Sequence, residues 1–152
     1  MARKWFDNSV PMHSIDKKTT HPLALKAEAT VESVMRSMPE LGFKSASESI
    51  LQLAIAANGH LNDTAPWSRM KQPGEENIVA NDLYVVLEAT RIVGLLLAPL
   101  LPDLSARILE QLVCSLDSEH WLDQLQWGGL TSGTELPKPV PVMQRLELED
   151  DL

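Results

Sequence analysis

The sequence predicts an all-α fold, a bundle of about five helices with an extended C-terminal segment packed across it. Apolar residues recur at helical spacing in several separate stretches, which is the main signal for amphipathic helices. The 10 prolines outnumber the 7 glycines, which is typical of punctuated helices rather than of a turn-rich sheet protein. With 152 residues, 44% of them apolar and 22% charged, the chain has the size and composition of one domain with its own core. We therefore expect residues 1–152 to form a single domain.

The first two predicted elements are the last turns of one helix and the whole of a second. Residues 2–7 read as the end of a helix, which the residues leading to Pro11 break. A polar loop then runs to Thr20, which can cap a helix that has Pro22 in its first turn. This second helix is predicted to end near residue 40. Its predicted buried face consists of Leu25, Ala29, Val31, Val34 and Met38.

The third predicted helix begins at a capping box and ends at a proline. Ser45 and Glu48 have the spacing at which each side chain can bond a free backbone amide, and Pro66 stops the helix. A glycine inside a helix costs about 1 kcal/mol relative to alanine, so Gly59 predicts close packing against a neighbour. The apolar residues that share one face are Ile50, Leu53, Ala54, Ala57 and Leu61.

The longest predicted helix carries an apolar stripe from Val79 to Leu97. From Ile92 to Leu97 the sequence is apolar nearly all round, so we expect this part at the centre of the bundle. Two prolines follow, and a further amphipathic helix is predicted from Asp103 to Leu116. Residues 131–152 are spaced by prolines and are predicted to form the extended segment.

Residue patterns for catalysis and for metal binding are not found in the sequence. The four histidines show no i, i+4 pair, and one cysteine excludes a multi-cysteine zinc site. There is no phosphate-cradling glycine loop and no GxSxG element. We expect no catalytic residue, no metal site and no cofactor in this chain. Cys114 is expected to be a buried core thiol, and a lone cysteine is typical of a reducing compartment.

The charge distribution limits what the chain can bind. The net charge is −8, and residues 45–152 carry six Lys/Arg against sixteen Asp/Glu, whereas residues 1–44 carry seven against five. Nucleic-acid binders usually present a basic face to the phosphates. We therefore expect that the chain does not bind DNA, and that any RNA would bind to a local patch. The apolar run from Ile92 to Leu101 is too short to span a bilayer, so we do not expect the chain to associate with a membrane. A helical protein–protein interaction module without RNA function fits the acidic charge and is the alternative hypothesis.

A tryptophan beside a proline is the most informative local feature. Pro66 fixes its own backbone and disfavours the helical conformation at Ala65, so Trp67 follows a rigid bend. An outward ring there would be a stacking platform for an unpaired base, worth roughly 1–3 kcal/mol per base. Arg69 and Lys71 follow, where they could meet phosphates. Residue chemistry alone favours the other outcome, in which the indole packs into the core.

Four stretches, in order, resemble the anticodon-binding domain of methionyl-tRNA synthetases. Residues 58–67 (NGHLNDTAPW) are similar to the family element N-x-Y-x-D-x-x-x-P-W, with Lys71 beyond it. Residues 83–102 resemble the next helix of that domain with its L-x-P-x-x-P ending. Residues 127–147 resemble the ending W-G-x-L…G…P-x-P-[VL]-[FM]-x-R-[IL]-E, and residues 2–11 the segment that closes the first helix. The doubled glycine and the proline-spaced ending are most similar to the plant organellar and cyanobacterial branch.

The resemblance implies a function and a set of binding residues. The tryptophan of the P-W pair would stack on the first base of the CAU anticodon of methionine tRNA, with the proline bracing it. An unstacked cytosine must leave the anticodon loop stack to be read in this way. Where the family usually has a basic residue, a tyrosine and an aspartate, this chain has Gly59, His60 and Asn62. The residues assigned to the anticodon are Asn58, His60, Pro66, Trp67, Arg69 and Lys71.

The resemblance also implies a larger enzyme. The family's N-L-x-x-R element, which reads the same base, and the HIGH-like and KMSKS-like motifs of its Rossmann catalytic domain are not found in this sequence. We therefore expect a first helix that is cut short and a chain that is inactive without a catalytic domain, which would use ATP, Mg and methionine. The compartment would be the cytoplasm, or the chloroplast or mitochondrial matrix.

Three further residues are given structural roles. Arg91 lies on a mostly apolar helix, so we expect it to pair with a carboxylate or a helix end rather than with RNA. Trp127 and Leu130 are expected to pin the C-terminal segment to the bundle.

Overall fold

The computed structural model describes residues 1–15 and 21–144. Within these ranges the regular structure is helical, apart from one isolated antiparallel bridge between Ser9 and Glu135. The all-α prediction is confirmed. The helices are α1 Ala2–Trp5, α2 Pro22–Ser37, α3 Phe43–Thr64, α4 Pro66–Arg69, α5 Glu76–Leu97, α6 Pro102–Gln111 and α7 Trp121–Gln124, with a 3-10 turn at Met38–Glu40.

Helix α5 is the centre of the bundle. It packs against α2, α3, α4 and α6. Of the apolar run predicted to lie at the centre, Ile92 to Leu96 are buried and Leu97 is half-buried. Helices α2 and α3 run antiparallel, since the Ser33 and Ser49 hydroxyls lie 2.8 Å apart and His21 lies against His60. Gly94 lets α6 approach, because a Cβ there would lie 2.9 Å from Ile108. Among the described residues, none of the helices combines the length and the apolar character that a membrane-spanning helix requires.

The buried face of α2 differs from the prediction. Leu25 is 50% exposed and Ala29 is also exposed. The interior face holds Thr30, whose hydroxyl donates to the Lys26 carbonyl at 2.8 Å and is thereby satisfied without leaving the core. Because a polar threonine lies on the buried face, the pattern of apolar residues did not reveal it; the buried residues are Leu23, Ala24, Ala27, Thr30 and Val34. The predicted cap, Thr20, lies outside the described residues.

Two helix boundaries were predicted wrongly for the same reason. Ser45 is not a cap, because α3 already begins at Phe43 after a turn in which Leu41 has φ +58°. Likewise α6 ends at Gln111, not Leu116, because Val113 has φ +56°. At both sites paired backbone bonds, such as Cys114 N–H to the Leu109 carbonyl at 2.9 Å, close a Schellman motif. Glycine is the usual residue at that position, and these two turns lack it.

The C-terminal segment is extended and packs across the bundle, as predicted, over the residues to 144. The Val10 amide donates to the Thr134 carbonyl at 2.9 Å, and the Leu136 amide donates to the Asn8 carbonyl at 2.7 Å. Leu130 is 6% exposed and Trp127 is half-buried against the core, so both act as the expected anchors. Residues 145–152, which include the predicted R-x-E ending, lie outside the described residues.

A buried ion pair on α5 fastens this segment. Glu88 is fully buried, and its carboxylate accepts the amides of Gly128, Gly129 and Leu130 at 2.8–3.0 Å. Arg91 donates to the same carboxylate and to the carbonyls of Gln124 and Gln126. The structural role predicted for Arg91 is confirmed. We call Glu88 and Arg91, with the backbone groups that they bind, the clamp.

Candidate nucleic-acid interface

The bend that carries Trp67 is built by the end of α3 and a short α4. Ala65 adopts a left-handed conformation with φ +42° and ψ +58°, because the following proline disfavours a further helical turn. Its amide still donates to the Leu61 carbonyl at 3.0 Å, and its carbonyl accepts the Ser68 amide at 2.8 Å. A left-handed alanine costs roughly 1–3 kcal/mol, and the two hydrogen bonds hold it there. The bend is therefore a fixed feature of the backbone.

The two residues after the bend, Pro66 and Trp67, differ in how far they are buried. Pro66 is fully buried, whereas Trp67 is 44% exposed. The other three tryptophans, Trp5, Trp121 and Trp127, are half-buried. The interpretation that Trp67 packs into the core is wrong, because a large part of its ring faces solvent. A ring held outward by a buried proline can receive a flat partner without a prior rearrangement.

Cationic side chains lie just beyond the ring. Lys71 is exposed, and Arg69 is half-buried with a guanidinium nitrogen 3.9 Å from a Glu75 carboxylate oxygen. An exposed pair at that distance contributes less than about 1 kcal/mol, so an arriving phosphate can compete for Arg69. The bend thus brings an exposed tryptophan and two cationic residues, one of them paired with Glu75, into one short stretch of an acidic protein. This stretch is the candidate for the local patch that an acidic RNA binder needs.

The two assigned residues on α3 are placed differently. Asn58 is exposed, two helical turns before the bend. His60 instead turns toward α5, where its Nε2 lies 3.2 Å from Asp82 Oδ1 and its side chain is 19% exposed. Whether either residue meets an anticodon base stays a prediction. The Gly59 prediction is wrong: no atom lies within 4 Å of an added Cβ, so no neighbour packs closely there.

Asp82 is a residue of this region that the sequence reasoning missed. A signal existed, because Asp82 interrupts the apolar stripe between Val79 and Leu83, and a carboxylate there needs a partner. The partner, His60, is 22 positions away and could not be identified from spacing. Within residues 1–15 and 21–144, no three His, Cys, Asp or Glu side chains are placed to hold a metal ion.

Comparison with known proteins points to one family. A family described as the anticodon binding domain of methionyl tRNA ligase matches residues 10–151. The methionine–tRNA ligase of Synechocystis sp. is 32% identical over 97% of this chain, which covers 30% of that protein. The chloroplastic/mitochondrial methionine–tRNA ligase of Arabidopsis thaliana is 35% identical over 86% of this chain, which covers 22% of that protein. The relatives thus include cyanobacterial and plant organellar enzymes, as the sequence motifs predict.

The fold is shared with a solved enzyme. The free-state crystal structure of Mycobacterium tuberculosis methionyl-tRNA synthetase superposes with a TM-score of 0.85 at 27% identity, covering 98% of this chain and 30% of that one. The chain therefore spans less than a third of the length of these relatives. Matching motifs, fold and family model lead to one conclusion: the chain belongs to the family of anticodon-binding domains of methionyl-tRNA ligases.

Proposed function

We propose that this domain binds the anticodon loop of methionine tRNA, with Trp67 as the stacking platform for the cytosine that begins the CAU anticodon. The observation that carries the proposal is that Trp67 is 44% exposed beside a fully buried proline. A base that stacks on such a ring gains roughly 1–3 kcal/mol. Family membership favours this function over the protein–protein alternative.

The roles of the surrounding residues follow from their exposure. Lys71 and Arg69 contact phosphates of the loop. Asn58 is exposed, and its side-chain amide can donate hydrogen bonds to the splayed base and accept hydrogen bonds from it. The Nε2 atom of His60 bonds Asp82 and so supports α3, and the contact of His60 with an anticodon base or phosphate remains part of the proposal. Recognition therefore combines one apolar platform with a few polar groups on a rigid bend.

Because few cationic side chains are available to contact phosphates, we expect the affinity for RNA to depend only weakly on salt concentration. Each neutralised phosphate of a single strand contributes about −0.7 to the slope of log K against log salt. With Arg69 and Lys71 as the contacting cations, the slope is about −1.4, far below that of a strongly basic RNA binder. Stacking rather than charge then supplies most of the affinity.

The domain serves aminoacylation only together with a catalytic domain. We propose that this partner supplies ATP, Mg and methionine chemistry, and that the present chain contributes the selection of tRNA. The working compartment is the cytoplasm, or the chloroplast or mitochondrial matrix. The plant relative is described as chloroplastic/mitochondrial, and the cyanobacterial relative carries no such label.

Binding of anticodon stem-loops tests the proposal. The chain is titrated with a CAU stem-loop and with loops in which the first base is replaced, for the unchanged protein, Trp67→Ala and Trp67→Phe. Leu122→Ala is the matched control, since Leu122 is 63% exposed and lies on a different helix, α7. We expect Trp67→Ala to weaken CAU binding about 5- to 150-fold, the equivalent of one lost stack, with Trp67→Phe in between and Leu122→Ala unchanged.

Two results would contradict the proposal. Equal affinity of all loops for the unchanged protein would show that the domain does not read the first base. Equal loss in Trp67→Ala and Leu122→Ala would show that the tryptophan acts only as generic apolar surface.

A further inference from the structure

Three titratable side chains from three helices meet where α2 begins. His21 is the N-cap residue of α2, and its ring lies edge-on to the ring of His60 on α3, with centroids 5.1 Å apart. His60 Nε2 lies 3.2 Å from Oδ1 of Asp82 on α5. We call His21, His60 and Asp82 the histidine joint. Each of the helices that the joint connects contributes residues to the buried core.

The cap of α2 requires a neutral His21. The Nδ1 atom of His21 accepts the Leu23 amide at 3.1 Å, so its lone pair is occupied there and the ring proton sits on Nε2. Protonation at Nδ1 would place two N–H groups face to face and leave the Leu23 amide without its acceptor. The new positive charge would also lie at the positive end of the α2 dipole. Both effects oppose the docked first turn of α2.

The surroundings of His21 act in the same direction. Burial lowers the pKa of His21, the charge of His60 lowers it further, and Asp82 opposes them with the smallest effect. Asp82 compensates weakly because one carboxylate oxygen already bonds His60. Its other oxygen is buried without a hydrogen-bond partner among the described residues. Among the described residues of α3 and α5, His60 and Asp82 are the titratable groups that act on the His21 ring.

We propose that the histidine joint is a pH-sensitive latch, in which neutral His21 holds the first turn of α2 on α3 and α5 and protonated His21 releases it. Release exposes Leu23 and Ala24, which are buried on that turn. It also removes a side support of α3 at His60, one turn before the bend at Ala65. The latch concerns the folded chain itself and stands independently of RNA binding.

The direction of the pH effect follows from the shift. The pKa of His21 in the folded protein lies below its ordinary value of 6.5, so the unfolded chain takes up the proton first as the pH falls. The stabilisation is complete above pH 6.5 and is lost as the pH falls from there toward the lower folded value. Within that window the folding equilibrium constant falls by up to about tenfold per pH unit.

Urea unfolding of three proteins between about pH 7.5 and about pH 5 tests the latch. His21→Asn keeps a side chain that caps helices well but cannot titrate. His120→Asn is the matched control, because the His120 side chain is 64% exposed and far from the joint in sequence. We expect the unchanged protein and His120→Asn to lose stability as the pH falls below 6.5. In His21→Asn the contribution of His21 to this loss, a factor of up to about ten in the folding equilibrium constant per pH unit, should be missing. An identical pH dependence in His21→Asn would overturn the proposal.

A second measurement does not depend on the variant folding well. In the unchanged protein, NMR follows the His21 ring resonances and the Leu23 amide resonance through the same pH range. The latch requires a His21 pKa below 6.5 and a Leu23 amide whose shift changes with that same midpoint. A His21 pKa at or above 6.5, or a Leu23 amide that ignores the titration, would equally overturn it.

Discussion

The clamp and the Trp67 bend use charge and apolar surface in different ways within the same small bundle. In the clamp, Glu88 is 0% and Arg91 4% exposed, and each donates to or accepts from several partners. At the bend, Arg69 and Glu75 are 3.9 Å apart and partly in solvent, and a tryptophan is exposed. The first arrangement stabilises the fold, because its charged groups are bonded to one another and to the backbone. The second adds little stability and leaves its groups available for binding.

Removing the clamp's negative charge should have the largest effect. Glu88→Gln leaves the buried Arg91 guanidinium without its counter-charge, and breaking a buried pair in this way costs about 3–5 kcal/mol. Urea unfolding measures the loss, with Glu110→Gln on the exposed face of α6 as the control expected within about 0.5 kcal/mol. Equal stability of the two variants would show that the clamp is dispensable.

A methyl group in the clamp should cost less. A Cβ at Gly129 would lie 2.5 Å from the Arg91 guanidinium carbon, so Gly129→Ala must displace either the arginine or the segment that it holds. Overpacking of this kind costs about 1–3 kcal/mol. The loss should appear in the free energy of unfolding and in faster hydrogen exchange of the amides that bond Glu88. An unchanged stability would mean that the segment moves aside freely.

The difference between the two regions also explains what could be predicted from the sequence. The centre of α5 follows from an apolar run, and the end of α3 follows from Pro66, since both depend on neighbours in the chain. The turns at Leu41 and Val113 lack the glycine that usually marks them, so their positions depend on tertiary packing. The clamp was half predicted: Arg91 required a partner, but the backbone amides some 40 residues away could not be identified.

The bend was the harder case for a physical reason. The residues Pro66 and Trp67 determine a rigid turn, but whether the indole faces inward depends on which side α5 covers. The His60–Asp82 pair has the same origin, since it joins two helices whose register is set by the whole core. Family resemblance supplied the outward orientation, and the structure supplied the reason for it: Pro66 fills the interior position instead.

A glycine outside the clamp should respond in the opposite sense. An added Cβ at Gly59 meets no atom within 4 Å, and the site lies inside α3. Gly59→Ala should therefore stabilise the domain by about 0.5–1 kcal/mol through the helix preference of alanine. The increase is read from the urea midpoint at an unchanged denaturant slope, and it forms a matched pair with Gly129→Ala. A loss of stability here would mean that the outer face of α3 is crowded.

The smallest stability change is expected for Trp67, the residue proposed to stack on the anticodon. Trp67→Ala removes a ring that is partly exposed and therefore makes few contacts with the core. Pro66, which fills the buried position, is unchanged. Substitutions at such surface positions usually shift stability by less than about 0.5 kcal/mol. Thermal and urea unfolding of Trp67→Ala should therefore nearly match the unchanged protein, while the clamp variants unfold early. If Trp67→Ala proved as unstable as Glu88→Gln, the bend would be a second structural centre, and the contrast between a stabilising region and a binding region would fail.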